Sequence, residues 1–235
     1  SDQWGNITAG IELIRRTTGH ESHALTMPLV TTASGTKFGK TEAGAVFLDP
    51  RLTSPYRFYQ FWINADDRDV SRWLRYFTLL ERAAIESLDR ETAEHPERRT
   101  AQRALADDVT ARVHGADALH TAQEVSALLF GGADPTTLSS SAVEALADEI
   151  PTARVRWARP DGDGRALGLQ DALVASGLAS SKSDARRTLQ QGGITVNGVR
   201  AAADLAAIGP EHCLHGAYVL LRKGARNYAL LRMDD

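Results

Sequence analysis

The residues with the most evident chemistry lie in "TTASGTKFGKTEAG", Thr31 to Gly44, where Lys37 and Lys40 stand three positions apart among Gly, Ser and Thr. Two ammonium groups on a loop of glycines and hydroxyls suit a phosphate ligand, which needs positive charge and donors that can approach closely. The best-known pattern of this kind is G-x-x-x-x-G-K-[ST], whose glycines expose backbone N–H groups to phosphates while its lysine reaches the terminal ones. Here Gly35, Gly39, Lys40 and Thr41 come one residue short, and Ser34 occupies the required first-glycine position. That pattern must also open a helix whose N-terminus faces the anion. Glu42 is instead followed by Ala43, Gly44 and a short apolar run ending at Asp49-Pro50, which leaves no room for such a helix. A P-loop phosphotransferase is therefore disfavoured, while a solvated basic turn and a phosphate loop of another type both remain open.

Two other clusters look chemical and carry less. His212-Cys213-Leu214-His215 crowds three metal-ligating residues into four positions, which matches no common zinc spacing. His20-Glu21-Ser22-His23 misses the H-E-x-x-H spacing by one residue, so its histidines would not share a helix face. No metal site is expected. A third cluster is electrostatic: Lys182, Arg186 and Arg187 fall on one short helix, with Arg200, Arg222, Lys223 and Arg226 on hairpin turns of the same segment. Such a stripe is the footprint of a surface for a phosphate backbone, with a merely solvated helix face as the bland alternative.

The elements that must position these groups follow from pattern. Asn6 can cap a helix in which Ile7, Ile11 and Ile14 share a face, with Arg15 and Arg16 near its end and Gly19 as its stop. "ALTMPLV", Ala24 to Val30, is apolar and broken by Pro28, which predicts a strand near a sheet edge leading into the lysine loop. From Ser54 onward the pattern is helical. Ser54 and Pro55 open a segment whose aromatics Tyr56, Phe58, Tyr59, Phe61 and Trp62 are too many for one exposed face and are expected in a core. "DRDVSRWLRYFTLL" and "LERAAIESLDRE" follow, then a long helix from Pro96 to Gly115, another closed by Gly131-Gly132, and "SSSAVEALADEI" ending at Pro151. "RPDGDGRALG", Arg159 to Gly168, reads as a connector. Beyond it come helix, turn, a second helix capped by Ser181 or Ser183, a hairpin turning at Asn197-Gly198, and a last pair of strands turning at Lys223-Gly224.

The 235 residues suffice for more than one domain, and 27 Lys+Arg against 30 Asp+Glu give no global basic field, so any nucleic-acid surface must be local. One cysteine, Cys213, excludes an internal disulfide and fits a reducing compartment. No apolar run is long enough to span a membrane, and no signal segment opens the chain. The polar opening "SDQWGN", without an initiator methionine, suggests the back part of a longer protein.

Together these pieces resemble the bacterial tyrosyl-tRNA synthetases, a branch of the class I aminoacyl-tRNA synthetases. "SDQWGNITAGIELIRR" resembles that family's loop and helix beside the ribose and aminoacyl groups, and "KFGKT" its version of the K-M-S-K-S signature. "TSPYRFYQFWINADDRDVSRWLRYFT" and "HPERRTAQRALADDVTARVHG" are similar to its anticodon-recognition helices, and "SKSDARRTLQQGGITVNGVR" to its C-terminal RNA-binding domain, of a type first named from a small-subunit ribosomal protein. The resemblance implies a multi-domain α/β plus α chain. Residues 1–43 would be the tail of a Rossmann-like class I catalytic domain, 44–158 an all-α anticodon-recognition domain, 159–166 a linker and 167–235 a small α+β ribosomal-protein-like RNA-binding domain.

It further implies a tyrosine-tRNA ligase that uses ATP, carried as its Mg2+ complex, to activate L-tyrosine and pass it to tRNA(Tyr), with no tightly bound cofactor. Lys37 and Lys40 would meet the ATP phosphates and the departing pyrophosphate, Thr41 would add a hydroxyl donor, and Gly35 and Gly39 would permit the loop to move. Asp2 falls where the family holds the ribose hydroxyls, Gln3 near the tyrosine carboxylate and α-phosphate, and Leu29 and Val30 at its adenine-side wall. Lys182, Arg186, Arg187, Arg200, Arg222 and Lys223 would grip RNA. The family's H-I-G-H signature, tyrosine pocket and most of its dimer interface lie upstream of "SDQWGN", so this chain alone is expected to be inactive and the parent to be a cytoplasmic homodimer. A noncatalytic RNA-binding protein with a similar C-terminal domain is the alternative; it would need the basic helix and hairpin but neither "SDQWGN" nor paired loop lysines.

Overall fold

Nothing between Asp2 and Thr18 forbids an α-helix, since the segment has no proline, and helix α1 (Asp2–Thr18) occupies all of it. It therefore starts four residues ahead of the cap expected at Asn6, and the loop expected at "SDQWGN" is helical from Asp2 on. Glu12 accepts from Arg15 and Arg16 in its last turns, and Gly19, at φ +70°, stops it by donating to the Arg15 carbonyl. The computed structural model describes residues 2–39, 45–157, 166–202 and 205–234, with the backbone alone of Asp2. The molecule divides into a first unit, Ser1–Ala45, and a second, Val46–Asp235.

In the first unit the strand expected over Ala24 to Val30 does not form. The segment has no regular structure before an isolated antiparallel bridge, Thr31 with Lys37, and Leu25, Met27 and Leu29 are exposed. A strand exists only through ladder hydrogen bonds to a neighbour, and apolar composition does not supply one.

The second unit opens with helices whose ends the sequence marks clearly. In α2 (Pro55–Ile63) the Ser54 hydroxyl accepts from the Arg57 N–H and Pro55 takes the first position, where a missing N–H costs nothing. Tyr56, Phe58, Tyr59 and Trp62 are buried as expected and Phe61 half-buried. Trp62 packs edge-on to Phe58, Phe61 and Trp73, with ring centroids 5.9, 5.1 and 6.0 Å away. Such contacts each add about 0.5–1.5 kcal/mol beyond the area they bury. Helices α3 (Asp67–Phe77) and α4 (Arg82–Glu94) follow. The long helix expected from Pro96 is broken: a 3-10 turn covers Pro96–Arg98, Arg99 takes a left-handed conformation at φ 50°, and α5 spans Thr100–His114. The break has a use, because it lets Arg99 donate to the Ile63 carbonyl at 2.6 Å, near the end of α2, and to Ala65. Helices α6 (Ala116–Gly131) and α7 (Ser140–Glu149), the latter capped by Ser139, complete the helical part.

Strand β1 (Thr152–Arg156) comes next, then β2 (Leu167–Gly168), α8 (Leu169–Ala175), α9 (Lys182–Gln190), β3 (Ile194–Val196), β4 (Val199–Arg200), β5 (Ala207–Ile208), β6 (Tyr218–Lys223) and β7 (Asn227–Asp234). Of the connector expected over Arg159 to Gly168, residues 159–165 lie outside the described residues and Leu167–Gly168 form β2. Ser181, not Ser183, caps α9, its hydroxyl accepting from the Asp184 N–H. The Asn197-Gly198 turn forms as expected, both residues at positive φ, which matches the twist of the strands it joins. Gly198 is required twice over, since an added Cβ would also stand 2.9 Å from Pro135 Cδ.

The main sheet runs β1-β7-β6-β3-β4, with β1 parallel to β7 and every other pair antiparallel. Sequence reading leaves β1 unassigned, yet it stands before the connector and pairs beyond it. Against one face Leu169 and Leu173 of α8 and Ala185 and Leu189 of α9 pack on Ile194, Val196, Val219, Leu221 and Leu231. Strand alternation turns Leu220 and Leu230, also buried, to the other face. On that side the Tyr228 hydroxyl reaches the Leu128 carbonyl of α6 and the His215 ring reaches the Leu138 carbonyl.

Candidate functional site

Two groups of residues are candidates for the chemistry, one in each unit. In the first, the lysine loop is a small hairpin. Phe38 N–H donates to Val30 O at 2.9 Å, Thr32 N–H to Thr36 O at 2.8 Å and Gly35 N–H to Thr32 O at 2.9 Å. Gly35 makes the turn at φ +84° and Gly39 leaves it at φ +77°, a conformation glycine adopts at no steric cost. The hydroxyls of Thr32, Ser34 and Thr36 chain together at 2.8 and 3.3 Å, and Thr32 Oγ1 accepts the Thr36 N–H at 3.2 Å. The turn thus pairs several of its polar groups internally, and Lys37 projects exposed from its returning arm. Lys40 and Thr41 lie outside the described residues, as does the side chain of Asp2. Gln3 is exposed on α1; Leu29 is exposed and Val30 half-buried where the hairpin begins.

In the second unit the structure gathers some of the expected cations and separates others. Lys182 pairs with Asp171 of α8 at 2.6 Å and Arg187 with Asp184 at 2.9 Å. Lys223 arrives from β6, donates to the Leu178 carbonyl at 2.9 Å and lies 3.6 Å from Asp184. Asp184 is the organiser that sequence reading missed. It accepts the Ser180 N–H as well, and this bond, then Arg187 and Lys223, hold its carboxyl below the usual carboxylate range. A carboxylate three residues before an arginine was the available signal. Arg186 is exposed on the same helix, and Arg200 caps the helix end by donating to Gly192 O at 2.9 Å. Arg222 stands apart: its guanidinium lies over the Tyr228 ring, 5.7 Å from the centroid, in a cleft of about 500 Å³ shared with Leu128 and Pro135 of the helical part. A second cleft, about 990 Å³, sits where the β6–β7 turn meets the ends of α6 and α7, lined by Phe130, Lys223, Arg226 and Tyr228 among others. Phe130 is 74% exposed there.

The His212–His215 cluster is otherwise engaged. His212 Nδ1 accepts the Gly209 N–H at 3.1 Å and His215 turns to Leu138; among the described residues no three acidic, His or Cys side chains could hold a metal. No described helix is long and apolar enough to cross a membrane.

Comparison with known proteins divides the chain elsewhere, inside the second unit. Residues 1–131 match the family described as tRNA synthetases class I (W and Y), and residues 142–231 the tyrosine-tRNA ligase SYY-like C-terminal domain. The chain is 53% identical over 233 residues to the tyrosine-tRNA ligase of Roseiflexus castenholzii and 52% identical over 234 residues to that of Anaeromyxobacter dehalogenans, covering 99% of this chain and 54% of each relative. It thus spans about half the length of the curated relatives it matches. Among solved structures, a tyrosyl-tRNA synthetase C-terminal domain in solution is similar at 29% identity and a TM-score of 0.35, over 43% of this chain and 96% of that one. With its first 131 residues matched to that family, this chain belongs to the class I tRNA synthetases of the W and Y type.

Proposed function

We propose that this chain is part of a tyrosine-tRNA ligase, supplying the lysine loop of the activation site and the surfaces that hold tRNA(Tyr). The observation that carries the reading is the pairing of "KFGKT", inside the synthetase match, with a tyrosine-ligase type C-terminal domain in one chain. A noncatalytic RNA-binding protein would need only the second. The proposed division is 1–43 as the tail of a Rossmann-like nucleotide-binding domain, 44–158 as the anticodon-recognition helices, with β1 at its end lent to the sheet of the last domain, 159–166 as linker and 167–235 as a ribosomal-protein-like RNA-binding domain. The rest of the activation site would come from residues beyond this chain, in a parent we infer to be a cytoplasmic homodimer.

In the first step a tyrosine carboxylate oxygen attacks the α-phosphorus of ATP. The bond from that phosphorus to the bridging oxygen breaks, and pyrophosphate leaves with the electron pair. Lys37 and Lys40 would meet the charge that builds on it, with Thr41 as a hydroxyl donor. Lys37, on a hairpin with one positive-φ glycine at its turn and another just after it, and Lys40 could close around the leaving group without binding ATP equally tightly beforehand, which raises the rate and not the ground-state affinity. Asp2 would hold the ribose, Gln3 the carboxylate and α-phosphate region, and Leu29 with Val30 the adenine side. ATP arrives as its Mg2+ complex. In the second step a ribose hydroxyl of the tRNA's terminal adenosine attacks the acyl carbon, loses its proton, and AMP departs. Lys182, Arg186, Arg187, Arg200 and Lys223 would grip tRNA phosphates on the α9 side, and Arg222 would act from the helical side. Phe130 offers a flat face to an unstacked base beside Arg226.

The test is pre-steady-state adenylate formation in the protein with its complete catalytic domain. Lys40→Ala is expected to slow activation by on the order of a hundredfold, the loss typical of one preorganised charge-stabilising donor, with tyrosine affinity nearly unchanged. An unaltered rate constant would refute this role of the loop.

A further inference from the structure

The register of the parallel pair puts Arg154 of β1 directly beside Arg232 of β7, and Arg156 two residues further along β1. All three are exposed. Ala153, Val155 and Trp157 pack against the core shared with α8 and α9, so alternation turns Arg154 and Arg156 to the opposite side of the sheet from α9. None of the three makes an ion pair or hydrogen bond with another described residue, and Asp234, opposite Arg156, does not bridge to it. Elsewhere in the second unit arginines are commonly neutralised at close range: Arg57 by Glu149, Arg75 by Asp89, Arg98 by Glu91, Arg112 by Asp108 and Arg187 by Asp184. Like charges directly across a strand pair destabilise it, so the Arg154–Arg232 pair costs stability in the free protein. An anion bound across both would reverse the sign of that term.

From this juxtaposition we propose that Arg154, Arg156 and Arg232 form a second phosphate-backbone surface for RNA, across the sheet from the α9 stripe. Arginine suits the role, because its planar fork meets phosphate oxygens in pairs. Residues i and i+2 of a strand lie about 6.6 Å apart, so the three guanidinium groups form a short row and not a point, as a polyanion requires. The proposal rests on the reading of this protein as a tRNA ligase and adds to it that the tRNA is held from two sides of the C-terminal sheet. The competing use of arginines on β1, an edge strand, is to block edge-to-edge pairing with another chain.

Binding of tRNA(Tyr) transcript to the 235-residue chain is measured against salt concentration for the unaltered protein, for Arg154→Gln/Arg156→Gln/Arg232→Gln, and for Lys182→Ala/Arg186→Ala/Arg187→Ala. If each freed cation displaces about one counterion, the sheet variant's salt slope flattens by about two to three units. A flattening at unchanged thermal midpoint supports the proposal, and the single variant Arg154→Gln, expected to flatten the slope by about one unit, supplies the same readout should the triple variant fold poorly. Unchanged slope and affinity in the sheet variant, with loss in the α9 variant, would overturn the second surface and leave the tRNA reading standing. Self-association of the sheet variant with tRNA binding intact would overturn it in favour of edge protection. Failure of the unaltered protein to bind the transcript would remove the tRNA reading itself, and the proposal with it.

Discussion

The helical part of the second unit and the sheet domain that follows it are both rich in arginine, but they use it in opposite ways. Around α2 to α7 the guanidinium groups are largely bound to carboxylates of the same unit. The clearest case is Glu149, whose side chain is 7% exposed and which accepts from both the Ser54 hydroxyl and Arg57, tying the end of α7 to the start of α2. In the sheet domain Arg154, Arg156, Arg186 and Arg232 are exposed without such partners among the described residues. A count of charges cannot separate these cases, and the net charge of -3 hides both. What matters is which cations are already spent on the fold.

That contrast can be broken by stability measurements. The largest effect is expected at Glu149→Ala, which removes charge-assisted hydrogen bonds at a buried position; urea unfolding should lose about 2 kcal/mol. A loss no larger than at an exposed site would mean the helical part does not depend on its ion pairs. At the other pole, Arg154→Gln should change unfolding stability by no more than about 0.5 kcal/mol in either direction, as surface substitutions usually do. If it destabilises as much as Glu149→Ala, the arginine is structural and the comparison fails.

The smallest effect sharpens the contrast through pH. His114, at the end of α5, packs edge-on against Phe58 with centroids 4.7 Å apart, and its Nε2 is buried with no hydrogen-bond partner. Burial lowers its pKa below the ordinary histidine value. The unfolded chain therefore takes up the proton first as pH falls below about 6.5, so the stability this site contributes is complete above that pH and lost below it. His114→Phe keeps the ring contact and removes the titration, so its unfolding midpoint should fall less than that of the unaltered protein between about pH 7.5 and about pH 5.5. An identical decline in both would place the acid sensitivity elsewhere.

Much of this fold was legible because local chemistry writes it. Ser54-Pro55, the choice of Ser181 or Ser183, and Asn197-Gly198 each state a helix start or a turn in two or three residues, and the aromatics of α2 were expected in a core. The failures share a cause. The strand expected over Ala24 to Val30 needed a partner that composition cannot supply, and Arg99 broke a helix because of carbonyls more than thirty residues away in sequence. Strand β1 is different, since "TARVRW" alternates polar and apolar residues cleanly and only its distant partner was hidden. Of the candidate site, the cations on α9 were visible as a helix face. Their carboxylate partners could be suspected only from spacing, as with Asp184 and Arg187, or not at all, as with Asp171 and Lys182. Arg222 was grouped with them although alternation along one strand sets it on the opposite face from Lys223; which of the two faces α9 covers is what the sequence hid.

The parallel pairing of β1 with β7 also bears on how the molecule can be taken apart. The covalent beginning of the sheet domain and its structural beginning are different places: a piece cut at 167 would leave behind a strand that covers β7 and delivers Ala153, Val155 and Trp157 to the core. A nick between 158 and 165 would therefore yield two fragments that travel together on a sizing column and part only in denaturant. Swapping this domain between relatives calls for a junction ahead of Thr152, so that the borrowed piece brings its own outermost strand.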